Sequence, residues 1–165
     1  MTLDDVLAEL GIPTSYGKTP FRPRFEETTR LVDIGCDINN RPTKLAPRAA
    51  AQWRLMSRAA SRDGVVLGVV SAFRSIAYQA ALYRKQLAGG RSLEDLLASV
   101  AAPGFSQHHT GMALDVTASG CGALEEEFEK TDAFAWLGNN AARFGFYLPY
   151  PRDNEYGFVY EPWHW

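Results

Sequence analysis

The feature that most constrains the fold is one uninterrupted apolar run in the middle of the chain, Val65 to Phe73 (VVLGVVSAF). Its residues are largely β-branched and apolar on both alternating faces, which predicts a central strand covered on both sides. The run is nine residues long. A membrane-spanning helix needs roughly 20 apolar residues, so the run predicts a buried strand of a globular domain and no membrane span.

Helical patterns flank this run on both sides. From Pro47 to Gly64 apolar residues recur on one face, with the proline suited to the first turn and the glycine to the end. Ser75 is placed to cap a second helix that ends near Gly89. Shorter helices are predicted over 3–10, 92–100 and 131–144, and further strands over 111–117, 146–150 and 156–161. Because these elements show no regular βαβ rhythm, the pattern favours an α+β fold.

The chain has the length of one domain, 165 residues, and shows no internal repeat or flexible linker. Residues 1–46 are rich in loops because four prolines interrupt any long element there. We expect 1–46 to form an extension packed on the same domain, and 47–165 to carry the function.

Charge and cysteine content exclude several classes of protein. Seventeen Lys and Arg against 19 Asp and Glu give a net charge of -2, which argues against a dedicated nucleic-acid binder. The first residues, MTLDDVLAELGI, carry acids where a signal peptide carries positive charge, so we expect an intracellular chain or a leader absent from this sequence. Cys36 and Cys121 lie far apart, which excludes a disulfide framework and favours two free buried thiols, with one disulfide left open.

The predicted strand over 111–117 carries a candidate functional acid. Its apolar face, expected in the core, comprises Met112, Leu114 and Val116. The opposite face carries Asp115 among the small residues Gly111 and Ala113, which leaves room for a metal or a substrate. Strand parity alone places His109 on the same side as Asp115.

The three histidines are His108, His109 and His164. His164 follows Glu161 by three positions, and residues i and i+3 of an ideal strand face opposite ways. The two side chains therefore share a site only if the chain bends, which Pro162 favours. Two imidazoles and one carboxylate are the ligands of many catalytic zinc sites, and a further carboxylate serves there as the base.

These pieces together resemble a known family. The segment 106–115 has the pattern S-x-H-x-x-G-x-A-x-D, and 161–164 has the pattern E-x-x-H. This combination, with the segment 71–75 (SAFRS), resembles the VanY-type D-alanyl-D-alanine carboxypeptidases of peptidase family M15, a group of LAS zinc peptidases. The resemblance runs from about residue 65 to the end. It implies a hedgehog/D,D-peptidase-like fold with a small, mostly antiparallel sheet flanked by helices.

The resemblance also implies roles for individual residues. By position, His108, Asp115 and His164 would be the ligands of a Zn²⁺ cofactor, and Glu161 the base that takes the proton of the attacking water. This assignment takes precedence over the parity argument, and His109 becomes a neighbour of the site or a substrate contact.

Further residues surround this constellation. Arg74 ends the apolar run before a helix N-terminus, a suitable position for an anion. The resemblance implies that Arg74 contacts the substrate or its developing oxyanion, and that Gln79 and Ser106 help to hold the peptide. Ser106 could instead serve only as a turn residue. The acidic run 125–129 is expected to be a solvated helix face rather than a metal site.

The predicted function is hydrolysis of the peptidoglycan stem peptide, with removal of the terminal D-Ala from D-Ala-D-Ala ends. An L,D-carboxypeptidase or an L-Ala-D-Glu endopeptidase on the same site stays open, as does a non-catalytic peptidoglycan-binding module that retains zinc. A closed structural zinc site with His109 as fourth ligand ranks last, because adjacent histidines rarely bind one metal together. The resemblance implies action in the cell envelope, and we expect a monomer.

Overall fold

Residues 2–165, described by a computed structural model, form helices packed around short antiparallel strand pairs. The helices are α1 (Leu3–Glu9), α2 (Pro47–Arg62), α3 (Ile76–Ala88), α4 (Leu93–Ser99) and α5 (Asp132–Asn140). The strands are β1 (Val32–Cys36), β2 (Pro42–Leu45), β3 (Gly68–Ser71) and β4 (Asp115–Thr117). Short 3₁₀ turns cover Gln107–Thr110, Glu126–Lys130 and Ala141–Phe144. The predicted α+β class is confirmed.

The strands form two separate antiparallel pairs, β1 with β2 and β3 with β4. The end of the chain adds to the second pair, since the backbones of Leu114 and Trp165 exchange two hydrogen bonds of 2.8 Å. Asp115 and His164 are the next residues opposite each other. Side chains of such a pair lie close together on one face, so the pairing itself brings the acid to the histidine.

The larger hydrophobic cluster lies behind this pairing. The predicted face of α2 is buried in it, with Met56 and Ala60 fully inaccessible. Leu114 and Val116 pack there on either side of Asp115. Fully burying one large aliphatic side chain contributes about 1.5–3 kcal/mol, so this cluster gives β4 a rigid base.

A smaller cluster joins α1 to α3 and α4, around Tyr83 and Leu96. The first helix therefore packs against two helices of the segment 47–165. Leu45, on β2, is fully buried in the larger cluster. The boundary before Pro47 stays a prediction.

The helix ends follow the predicted caps. Pro47 opens α2, and Gly64 follows its end with a left-handed backbone, φ +80°. The Ser75 hydroxyl accepts a hydrogen bond from Tyr78 N at 3.0 Å, and Ser92 caps α4 in the same way through Asp95 N. The predicted helix 131–144 is divided, because α5 ends at Asn140 and a 3₁₀ turn continues it.

The apolar run is a shorter strand than predicted. Only Gly68–Ser71 is extended and paired, and Val66 is 70% exposed. The reason is the partner, since β4 is three residues long and offers no further ladder.

The predicted strand over 111–117 begins only at Asp115. Gly111 has a left-handed backbone, φ +68°, and a Cβ there would meet Ala46 N at 2.8 Å. This turn breaks the alternation, so Met112 is exposed and not in the core, whereas Ala113 is buried. The expectation for Met112 was wrong for this reason.

The predicted strands over 146–150 and 156–161 are also wrong. The Asn154 side chain closes a loop between them, accepting from Phe158 N at 3.3 Å and donating to Phe158 O at 2.8 Å. Asparagine side chains that bind the local backbone in this way replace a strand ladder.

The surface features follow the sequence in part. The acidic run lies at the surface on a 3₁₀ turn, where Arg152 pairs with Glu126 and Glu129. Both cysteines are free, but Cys36 is exposed rather than buried. Among residues 2–165, none of the helices combines the length and apolar character that crossing a bilayer requires.

Candidate metal centre

Three buried side chains from distant parts of the chain converge on one point. His108, Asp115 and His164 each offer a ligand atom, and these atoms lie within 4.8 Å of one another. The Asp115 Oδ1 atom lies 3.3 Å from His108 Nε2 and 2.9 Å from His164 Nδ1. The structure therefore brings together the three residues singled out by the resemblance.

A short turn positions His108. Ser106 precedes the 3₁₀ turn, and its Oγ accepts from His108 N at 3.3 Å. The His108 ring donates from Nδ1 to the carbonyl of Ala72, at the end of β3, at 2.5 Å. With the proton on Nδ1, His108 Nε2 carries a lone pair, and this buried atom has no hydrogen-bond partner within residues 2–165.

The His164 ring faces Asp115 with its Nδ1 atom, whereas the His108 ring faces it with Nε2. The Nε2 atom of His164 lies 2.9 Å from Gln107 Oε1 and its Nδ1 lies 2.9 Å from Asp115 Oδ1, so the tautomer that donates from Nε2 to Gln107 has its Nδ1 lone pair directed at Asp115. The Tyr150 ring stacks on the imidazole with a centroid distance of 4.9 Å. A hydrogen bond from the outer ring nitrogen to an acceptor is the usual way in which proteins fix a metal-binding histidine.

The donor atoms fit a divalent metal. Two imidazole nitrogens and a carboxylate oxygen converge within 4.8 Å of one another, a donor set that zinc commonly takes in proteins. Burial lowers the pKa of His108 to about 4, and the nearby Arg74 charge adds to this effect. Desolvation would raise the pKa of Asp115, but His108, His164 and Arg74 outweigh it and hold that pKa well below its usual range. A neutral imidazole and an ionised carboxylate are the forms that bind zinc.

Glu161 lies beside this cluster without joining it. Its Oε2 is 3.9 Å from His164 Nδ1, and its backbone N–H donates to Tyr150 O at 3.0 Å. His164 N donates to the Glu161 carbonyl at 3.1 Å, so the chain bends between the two residues as the sequence required. Burial, with a contribution from Asp115, raises the pKa of Glu161 to about 8, against an opposing effect of Arg74.

His109 faces away from the cluster. Its Nδ1 donates to Arg74 O at 2.6 Å, and its Nε2 accepts from Gly104 N at 3.0 Å. Both nitrogens are therefore occupied, which rules out His109 as a fourth ligand in this arrangement. Strand parity grouped it with Asp115 only because the turn at Gly111 could not be read from the pattern.

The cluster forms the base of a cleft of about 210 Å³. Arg74 lines the cleft, with Nη1 3.8 Å from Asp115 Oδ2 and a buried Nε that has no partner within residues 2–165. Ser106 also lines it, although its hydroxyl caps the turn. Gln79 is fully buried behind the wall, where its amide donates to Ala101 O at 2.7 Å.

Two site residues escaped the sequence reasoning, Gln107 and Tyr150. Gln107 stood next to His108 within the motif, and this adjacency was its only signal. Tyr150 had no sequence signal, because its contact with His164 depends on the loop that Asn154 closes.

Comparisons with known proteins agree with this geometry. The family model of VanY, D-alanyl-D-alanine carboxypeptidase, matches residues 42–165. The carboxypeptidase-named protein YodJ of Bacillus subtilis (strain 168) is 36% identical over 121 residues, which cover 70% of this chain and 43% of YodJ. The chain spans less than half the length of YodJ and of two enterococcal D-alanyl-D-alanine carboxypeptidases that it matches.

Solved structures show the same fold. The LD-carboxypeptidase LdcB superposes with a TM-score of 0.75 at 29% identity, over 87% of this chain and 71% of LdcB. The vancomycin resistance D,D-pentapeptidase VanY, solved as a mutant with Zn(II), gives a TM-score of 0.65 at 27% identity, over 87% and 81% of the two chains. With most of its length matched by the family model, this chain belongs to the VanY family of D-alanyl-D-alanine carboxypeptidases.

Proposed function

We propose that this protein is a zinc carboxypeptidase that removes the terminal D-Ala from peptidoglycan stem peptides. The observation that carries the proposal is the buried cluster of His108, Asp115 and His164 with Glu161 beside it in one cleft. A structural zinc site needs no additional buried carboxylate, so Glu161 favours catalysis over a binding module. The Zn(II) in the related VanY structure supports the choice of metal.

Bound between the three ligands, zinc supplies a Lewis acid that polarises the scissile carbonyl and makes water more acidic. Glu161 accepts the proton of the attacking water and then delivers it to the amine of the leaving D-Ala. Burial raises the pKa of the Glu161 carboxyl, and a positive charge nearby favours the ionised form that a base requires.

Arg74 has donors available for the substrate. Its backbone is fixed by His108 and His109, and its buried Nε lacks a partner within the described residues. A guanidinium held in this way can bind the terminal carboxylate of the peptide or the oxyanion of the transition state. Ser106 supports the turn that carries His108. Gln79 acts indirectly, because its side-chain amide donates to the carbonyl of Ala101, which lines the cleft.

A second candidate on the same site is an L,D-carboxypeptidase. The likeness to LdcB favours it, since that structure superposes over as much of this chain as VanY does. Either activity belongs to the cell envelope, where the substrate lies.

The test is mass spectrometry of defined muropeptides after incubation with the zinc-loaded protein. A pentapeptide ending in D-Ala-D-Ala should lose one D-Ala, whereas an L,D-enzyme should shorten the tetrapeptide. The Glu161→Gln protein serves as the control for contaminating hydrolases. Absence of cleavage of both peptides by the zinc-loaded protein would overturn the proposal.

A further inference from the structure

A second arginine, Arg91, lines the same cleft as Glu161 and the three metal-binding side chains. It lies just before α4, and its side chain runs along that helix to the far end. Its Nη2 donates to the carbonyl of Asp95 at 3.2 Å and to the hydroxyl of Ser99. These contacts fix the guanidinium in place, and both acceptors are neutral.

Some arginines of this protein are neutralised by a carboxylate close to them. Arg41 pairs with Asp37 and Arg84 with Glu9, at 2.7 and 2.8 Å. No ion pair joins Arg91 to any carboxylate of residues 2–165. Arg91 is thus a half-buried cation whose side-chain hydrogen bonds within residues 2–165 go to neutral acceptors.

The acids of the cleft are already engaged. Its lining contains two carboxylates, Asp115 and Glu161. Asp115 faces both metal-binding histidines and Arg74, and Glu161 lies at His164. Once zinc offsets these two negative charges, Arg74 and Arg91 leave the cleft with two positive charges. A cleft of that charge favours a ligand with two anionic groups.

We propose that Arg91 binds a second carboxylate of the peptide substrate, upstream of the carboxylate at the chain end. The inference rests on the proposed function and narrows its substrate class to acidic peptides. Arginine suits this role because its planar fork of donors matches a carboxylate, and a charge-assisted pair is stronger than a neutral hydrogen bond.

The competing explanation is that Arg91 only stabilises the end of α4, where its contacts to Asp95 and Ser99 lie. A structural role of that kind would affect all substrates alike. A preference for one carboxylate on the substrate is therefore the property that separates the two explanations.

The experiment uses peptides that end in D-Ala-D-Ala and differ only in a side-chain carboxylate or its primary amide. The pair is placed two, three or four residues before the scissile bond. Dissociation constants are measured by calorimetry on the zinc-loaded Glu161→Gln protein, with Arg91 intact or changed to Gln or Lys. Arg58→Gln, at an exposed arginine of α2, is the matched control.

With Arg91 intact, the acidic peptide should bind ~10-fold more tightly than its amide at one of the positions. Arg91→Gln should abolish this preference, Arg91→Lys should retain part of it, and Arg58→Gln should leave it unchanged. Should Arg91→Gln fail to fold, the reduced preference of Arg91→Lys decides the question. Equal binding of acid and amide at every position, or a preference that survives the loss of Arg91, would overturn the inference. An acid preference without release of D-Ala by the natural protein would reject the proposed function and leave the role of Arg91 standing.

Discussion

Two sets of side chains that line the cleft differ in how their polar atoms are satisfied. The metal floor, formed by His108, Asp115 and His164, is at most 3% exposed, and the outer nitrogen of each histidine has its own acceptor. In the cationic rim, formed by Arg74 and Arg91, the buried Nε of Arg74 has no partner within residues 2–165 although its Nη1 lies 3.8 Å from Asp115, and Arg91 donates to neutral acceptors. The side chains of the floor are therefore held by protein contacts, whereas the rim keeps hydrogen-bonding capacity for a ligand.

These two sets of side chains are also attached to different hydrophobic clusters. Asp115 lies between Leu114 and Val116 in the larger cluster, and the chain end that carries His164 pairs with the same strand. Arg91 belongs to the connection between α3 and α4, which pack with α1 in the smaller cluster. This separation predicts that changes in the floor alter zinc content, and that changes in the rim alter substrate choice with zinc intact.

The largest expected effect is at the floor. His164→Ala should reduce zinc from about one ion per chain to a small fraction, because a three-residue site loses a ligand. Elemental analysis of protein purified without chelators measures this. Equal zinc in the natural protein and the variant would remove His164 from the site.

The Glu161→Gln change should separate metal binding from hydrolysis. The variant should keep its zinc and its fold but lose about 10²–10⁴-fold in hydrolysis, since a general base typically contributes that much. Turnover is compared with that of Glu127→Gln, a change at an exposed acid that should have little effect. Near-normal activity of Glu161→Gln would revive the binding-module explanation.

Gln107 tests whether the fixed orientation of His164 matters to the floor. Gln107→Ala removes the acceptor of the ring N–H and should weaken zinc affinity by about 10–100-fold. Gln107→Glu keeps an acceptor at the same position and should lose less. Competition with a chromogenic chelator gives both constants, and an unchanged affinity of Gln107→Ala would contradict the role assigned to this residue.

The smallest effect is expected at the rim. If Arg74 binds the terminal carboxylate, the natural protein should prefer a free over an amidated chain end by ~10-fold, on the strength of one charge-assisted hydrogen bond. Arg74→Ala should shrink that preference while zinc content stays constant. The preference is obtained from kcat/KM for the free and the amidated substrate, measured with the natural protein and with Arg74→Ala.

Other outcomes of this measurement sharpen the mechanism. A fall in kcat with both substrates alike in Arg74→Ala would assign the residue to the oxyanion. Equal rates of the natural protein on free and amidated ends would reject a carboxypeptidase in favour of an endopeptidase.

Local signals in the sequence were sufficient for the helices. Pro47, Ser75 and Ser92 begin helices where their chemistry predicts, because capping depends on a few neighbouring residues. Strands were predicted less well, since the length of β3 depends on β4 and the loop closed by Asn154 replaces a predicted hairpin.

The sequence by itself determined the α+β class, the starts of α2, α3 and α4, and the set of residues that could hold a metal. Strand parity grouped His109 with Asp115 and the resemblance implied His108; the tertiary structure places His108 in the cluster, because the turn at Gly111 breaks strand parity. It also decided that His164 faces Asp115 across 49 positions of the chain, and that Gln107 holds its ring. Caps and motifs are local, whereas the direction of a side chain depends on backbone pairing and burial between segments far apart in sequence.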